Sequence, residues 1–257
     1  MKALEYLAGP ARMKAPHWTC LPAALLAAML FVVSAGFQLR AANSRWITHA
    51  DGTGWSQYSI ESHEFDYYLA EDPVVLIPDT SIPFGIGMFF QAAGLFLTLV
   101  ALLALHPGNL RPRRMLHTLL GLCAVASAAL IGYQSLRTGL DGKPFAPLSQ
   151  SGIAGVAYLL GFVALAVLVV LAWRRTPVLG IALACSLSTT IVGYIFCSLI
   201  IAPVFAGDQS FDTTRGTETV MAAATAAAGL AMLLAFALYA GNAVRRARPA
   251  VQETSAP

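Results

Sequence analysis

Charge is what this chain has least of. Only 11% of its 257 residues are Asp, Glu, Lys or Arg, against about 25% in an ordinary soluble domain. Six long stretches carry none at all: Leu21–Leu39, Phe84–Leu105, Met115–Leu136, Gly152–Trp173, Pro177–Ala206 and Thr219–Val244. The absence of Asp, Glu, Lys and Arg from these runs, with His117 only two residues into the third and so read as interfacial, argues against an ion-coupled carrier, which keeps such groups at depth because they are costly there. Cysteine is also sparse. Of four, Cys20 precedes the first run and Cys123, Cys185 and Cys197 lie within the third and fifth. With no C-x-x-C pair, embedded thiol redox chemistry has nothing to use, and no disulfide is expected in an outward loop.

Other signatures are missing too. There is no phosphate-binding loop, no H-E-x-x-H, no G-x-S-x-G elbow and no kinase set. Gly85 and Gly87 form a lone Gly-x-Gly without the rest of a dinucleotide fingerprint, and no repeat relates two halves of the chain.

What is present is apolar mass: 57% hydrophobic residues and a mean hydropathy of +0.67. Each charge-free run approaches or exceeds the roughly 20 residues a helix needs to cross a bilayer. Continuous apolar runs without alternation exclude barrel strands, so helices are expected. The fold class that follows is an all-α integral membrane protein with six transmembrane helices.

Orientation comes from the basic residues. Lys2, Arg12, Lys14, Arg111, Arg113, Arg114, Arg174, Arg175, Arg245, Arg246 and Arg248 fall on one side; Arg40, Arg45, Arg137, Lys143 and Arg215 fall on the other. The positive-inside rule puts both termini in the cytoplasm of a cell membrane. Eleven of the thirteen acidic residues then face outward. The first run exceeds the usual h-region of a signal peptide and lacks a small-x-small site after it, so it is read as uncleaved. Residues 1–20 and 245–257 become cytoplasmic tails, the latter expected to be disordered. The basic clusters at 111–114, 173–175 and 245–248 read as topological anchors, too small and scattered for nucleic acid. Arg outnumbers Lys thirteen to three and alanine is abundant, a composition that suggests a high-GC bacterial genome.

One connection stands out. Residues 40–83 form an outward loop far longer than an ordinary connection. Trp46, Trp55, Tyr58, Phe65, Tyr67 and Tyr68 give it apolar mass that disorder would lack. A small extracytoplasmic cap is expected between helices 1 and 2, with a turn at Asp51–Gly54 and a short strand or hairpin after it. Those six aromatic residues are the candidate partner surface. His49, Asp51, His63, Glu64 and Asp66 are the candidate metal ligands, by donor type alone, since their spacing matches no known metal signature. Solvated polar residues are the simpler account.

The fifth run is the most hydroxyl-rich. Ser186 with Thr190, and Thr190 with Tyr194, share a face at helical spacing, making them a candidate substrate groove. Gln38, Gln91 and Gln134 each place one amide in a span, where it needs a partner. Asp208 and Asp212 have the D-x-x-x-D spacing of a magnesium-diphosphate site but stand without a second acidic motif. No cofactor is expected.

The function expected is that of a non-enzymatic accessory or assembly protein in contact with the bilayer, meeting a protein partner through the outer loop. The alternatives are a small-molecule permease component or exporter, and a lipid-active enzyme working at the membrane surface.

Overall fold

The structure is a computed structural model that describes residues 19–49, 65–68, 70, 75–105, 111–145, 152–174, 176–207 and 213–253. It is all-helical, with no strand among the described residues. The helices are α1 (Cys20–Asn43), α2 (Ser81–Ala104), α3 (Arg111–Asp141) and α4 (Gly152–Trp173), then three shorter ones. These are α5 (Pro177–Ser186), α6 (Ile191–Phe196) and α7 (Ala202–Ala206), followed by the long α8 (Thr217–Glu253). Five segments are each long and apolar enough to cross a membrane, and the pair 177–189 and 191–206 makes a sixth if counted as one span. This is the architecture of a multi-pass membrane protein.

Packing follows the chain around a ring. Each of α1 to α4 lies against its successor, and α8 closes the ring between α5 and α1. Neighbouring helices run antiparallel. The described connections therefore fall at two ends, and one of them, the loop end, holds residues 44–49, 75–81, 141–145 and 213–217.

Side-chain size explains why these helices belong in lipid. The buried face of α1 is Ala23, Ala24, Ala27, Ala28, Ala35, Ala41 and Ala42 around a single Phe31, while Leu26, Met29, Val32 and Val33 point outward. In water that arrangement is unfavourable, because the large apolar groups stay wet. In hydrocarbon there is no gain in burying them, and small residues win the interface because they let backbones approach. The same logic sets the crossing of α2 and α3. A Cβ on Gly85 would stand 2.7 Å from the Gly132 carbonyl oxygen, and one on Gly132 would stand 3.0 Å from the Gly85 oxygen. Neither position accepts a side chain without moving a helix.

Each span glutamine is bonded across helices. Gln38 Nε2 donates to Gln91 Oε1 at 2.8 Å and to Ser34 Oγ at 3.0 Å, and Thr225 Oγ1 donates to Gln38 Oε1 at 3.2 Å. Gln91 Nε2 donates to Thr189 Oγ1, and the Tyr158 hydroxyl donates to Gln134. Gln91 thereby joins α1, α2, α8 and the turn after α5. Gln91→Leu is expected to lower the thermal midpoint in detergent, by the equivalent of about 1 kcal/mol. It should cost more than Gln134→Leu, which strands one partner rather than several.

Three features depart from the expected spans. Hydropathy ends the first span at Leu39, but α1 continues through Asn43 into a π-helical turn, Ser44–Thr48, so Arg40 and Arg45 are helical and not part of a loop. Hydropathy marks where charge begins, and a helix need not stop there. α8 likewise runs on to Glu253, past residue 245 where a disordered tail was expected, and continues through Pro249.

The fifth span is not one helix. It breaks after a 3₁₀ turn, Leu187–Thr189, and bends by 78°. Thr190 is extended, with φ −86° and ψ 161°, and its Oγ1 accepts from the Gly193 amide as the N-cap of α6. Ser188 and Thr189 donate back to the Cys185 and Ser186 carbonyls. The run Ser188–Thr190 offers the backbone alternative partners, and here Thr190 caps a new helix. The turn and possible hairpin expected after Asp51 lie outside the described residues.

Candidate functional site

The functional candidate is a knot of buried charge at the loop end. Adjacent residues on a regular α-helix do not face one target. The π turn at Ser44–Thr48 sets Arg45 and Trp46 side by side, both buried, and both reach one carboxylate. Arg45 Nη1 donates to Glu218 Oε1 at 2.7 Å, and Trp46 Nε1 donates to Glu218 Oε2 at 2.6 Å. Glu218 sits in the first turn of α8, where the helix dipole favours negative charge. The guanidinium also lies over the Trp46 ring, 4.4 Å from its centroid.

The same Nη1 donates to Asp66 Oδ1 at 2.7 Å. Asp66 thus pins the far end of the long loop onto α1 and α8. Thr213 Oγ1 donates to Asp66 Oδ2 at 2.7 Å, and the Tyr194 hydroxyl donates to the same oxygen at 3.2 Å. One guanidinium therefore faces two carboxylates, with Trp46, Thr213 and Tyr194 as neutral donors that spread the remaining negative charge. Arg45 is fully buried, Glu218 nearly so, and the Asp66 side chain is 11% exposed. In such surroundings the attraction is strong and so is the cost of losing a partner. Arg45 Nε and Nη2 have no hydrogen-bond partner among the described residues.

Aromatic residues secure the rest of the loop. Tyr68 stacks on Tyr194 with centroids 4.5 Å apart, and its hydroxyl donates to the Thr189 carbonyl at 2.7 Å. Tyr67 and Tyr68 both meet Phe84 edge-on. Ser135 Oγ donates to the Tyr67 carbonyl at 3.1 Å, bringing in α3. Burial pushes the Tyr67 phenol well above its usual range, and the nearby Glu218 charge adds to this. Burial does the same for Tyr68. Both hydroxyls stay protonated; that of Tyr68 serves as a donor, while that of Tyr67 is buried without a hydrogen-bond partner among the described residues.

The expected sites fare differently. Of the partner-surface residues, Trp46, Phe65, Tyr67 and Tyr68 are buried, none more than 5% exposed, and serve as anchors facing the bundle. Trp55 and Tyr58 lie outside the described residues. Of the metal candidates, Asp66 is engaged by Arg45, Thr213 and Tyr194, while His49 Nδ1 is 2.9 Å from the Ser44 carbonyl oxygen. Asp51, His63 and Glu64 lie outside the described residues, as do Asp208 and Asp212. Among the described residues no three His, Cys, Asp or Glu side chains gather to hold a metal.

Ser186, Thr190 and Tyr194 do not form one helical face, because the break separates them: Ser186 ends α5, Thr190 caps α6, and Tyr194 lies within α6. Their hydroxyls are all engaged. Ser186 Oγ donates to the Ala182 carbonyl at 2.9 Å, Thr190 Oγ1 to that of Leu187 at 2.6 Å, and Tyr194 joins the Asp66 cluster. Deeper in the bundle, the cavity among Leu95, Leu99, Gly121, Leu165 and Leu183 has a volume of about 10 Å³ and an apolar lining. That is room for one water at most, and an apolar wall gives a water nothing to bond.

Arg45 and Glu218 are the residues that sequence reasoning missed, having been assigned to outward loops. A signal existed. Glu218 directly adjoins an apolar run, Arg45 stands beside a tryptophan, and the two carry opposite charge on segments that the topology brings to one end. Comparison with protein-family models, curated proteins and solved structures returned no match, so the reading of this site rests on its geometry.

Proposed function

We propose that the chain is a cell-membrane protein with both termini cytoplasmic that acts as a non-enzymatic accessory or assembly subunit. Its contact with a protein partner is made by the segment 50–64 of the first outward loop. The observation that carries this reading is the engagement of the polar side chains that reaction or transport would need. Asp66 and Glu218 are tied to Arg45, and Ser186, Thr190 and Tyr194 to neighbours in the fold. What the cluster does is hold both ends of the loop firmly, with Arg45 and Trp46 at one end and Asp66 to Tyr68 at the other. Trp55 and Tyr58 belong to the segment between these two anchors.

The test replaces residues 50–64 with a short Gly/Ser linker and leaves the anchors intact. Tagged protein is purified in mild detergent and the co-purifying proteins are quantified against the unmodified chain. The expected result is loss of at least one stoichiometric partner with unchanged bundle stability. An unchanged set of proteins would remove the reading.

A permease component is the second reading, favoured by the broken fifth span. Discontinuous helices in transporters expose backbone groups that bind substrate near the midplane. Here the Thr189 carbonyl accepts from Tyr68 and the Leu187 carbonyl from Thr190, which supports the break as a docking point for the loop.

A further inference from the structure

Beside the buried cluster, on the outside of α1, lies a groove of about 400 Å³, within the size range of small-ligand sites. One wall is a face of α1. Gly36, Leu39, Arg40 and Asn43 follow the i, i+3, i+4, i+7 spacing of a single helix face and are all exposed. Along this face the surface changes from apolar to charged between Leu39 and Arg40, where hydropathy ends the first span. The groove therefore straddles the boundary between hydrocarbon and headgroup. Thr48 and His49 continue its polar end.

The opposite wall is Asp79, in the turn that leads into α2. It is the one non-glycine residue with positive φ among the described residues, at 56°. That left-handed conformation costs energy for any residue with a Cβ, though Asp and Asn adopt it most readily. The turn is fastened to α1 by Ser44 Oγ, which donates to the Pro78 carbonyl at 2.6 Å, and closed by Thr80 Oγ1 donating to that of Ile77 at 2.7 Å. It holds the Asp79 carboxylate 3.3 Å from Arg40 Nη2, both side chains more than half exposed. An exposed pair of this kind contributes little to stability, so it opens at small cost to a ligand that offers each member a better partner.

We propose that this groove binds a phospholipid with a primary-amine zwitterionic headgroup, of the phosphoethanolamine type. The phosphate meets Arg40, whose planar fork suits phosphate oxygens. The ammonium meets Asp79, which accepts its N–H donors. Asn43 and Thr48 lie where the glycerol esters pass, and the acyl chains run down over Leu39 and the open surface at Gly36, where no atom stands within 4 Å of a Cβ position. A choline headgroup has no N–H for Asp79, and among the described residues no aromatic cage lines the groove to replace that contact. A glycerol headgroup has no cation at all. The site does not depend on a protein partner.

The test is native mass spectrometry of the full chain released from bilayers with equal ethanolamine, choline and glycerol phospholipids. Ethanolamine lipid is expected to be retained about tenfold over either competitor, the effect of one charge-assisted contact. Arg40→Gln and Asp79→Asn should each abolish the preference, and Asp79→Asn keeps a residue that tolerates the left-handed backbone. Asp141→Asn, which removes another exposed ion pair at this end, should preserve it. Soluble phosphoethanolamine, lacking the chains, should not displace the lipid. Equal retention of the three headgroups, a preference that survives both substitutions, or displacement by the soluble headgroup would each overturn the proposal. The wild-type ranking decides the matter even if a variant fails to fold.

Discussion

Arg45→Ala is expected to lose about 3–5 kcal/mol of stability, enough to abolish most folded protein in detergent. The size follows from what the substitution strands. Arg45 Nη1 alone bonds both Asp66 and Glu218, so its removal leaves two buried carboxylates without a cation and takes the packing partner from Trp46. Neutralising the acids at the same time should recover much of the loss. The triple variant Arg45→Met, Asp66→Asn, Glu218→Gln is expected to melt closer to the wild type than Arg45→Ala does, because desolvating three charges offsets much of their attraction. Thermal unfolding followed by size-exclusion chromatography reads both. If Arg45→Ala and the triple variant were equally unstable, the ionic account would fail and shape alone would matter.

Gly193→Ala is expected to be the most damaging single-methyl addition in the chain. Gly193 packs directly onto the break in the fifth span, where a Cβ would overlap the Leu187 carbonyl oxygen and stand 2.6 Å from its carbon and 2.9 Å from Ser188 Cα. These are backbone atoms of a tight turn, which cannot swing aside as a side chain would. Overpacking of this kind costs typically about 1–3 kcal/mol, and this contact belongs at the upper end. Gly241→Ala is the comparison. No atom lies within 4 Å of a Cβ at Gly241, so that change should be neutral or slightly stabilising through helix propensity. Circular dichroism melting curves of the two variants give the contrast. Equal midpoints would mean that the break is not held as tightly as its geometry requires.

Legibility in the sequence tracked how local the physics is. The spans could be read because a helix in hydrocarbon needs about 20 consecutive apolar residues, a property of one contiguous segment. The binding need of Gln38 and Gln91 was legible for the same reason, since an amide in lipid must find a partner wherever that partner is. The break at Leu187–Thr190 was not. Ser186 and the run Ser188–Thr190 fit a polar helix face as well as a cap, and only the close seat of Gly193 against Leu187 separates the two. The pairing of Arg45 with Glu218 spans 173 residues and depends on a π turn that no local pattern announced. Trp46, Phe65, Tyr67 and Tyr68 were recognised as too apolar for a disordered loop, yet composition could not say whether they faced a partner or the bundle beneath them. Nothing in their spacing encodes that Tyr68 stacks on Tyr194.

A bundle closed around the broken fifth span keeps water from Ser186 and Thr190, as the proposed role through the loop requires. Thiol accessibility measures this directly. In a background without the native cysteines, Ser186→Cys and Thr190→Cys are introduced one at a time, with exposed Lys143→Cys as the positive control. Each is reconstituted into vesicles and treated with a charged, membrane-impermeant thiol reagent from both sides. Labelling at 143 and none at 186 or 190 is the predicted result, since Ser186 is 1% and Thr190 9% exposed. Labelling at 186 or 190 as fast as at 143 would mean that water reaches the break, and would contradict the account in favour of transport.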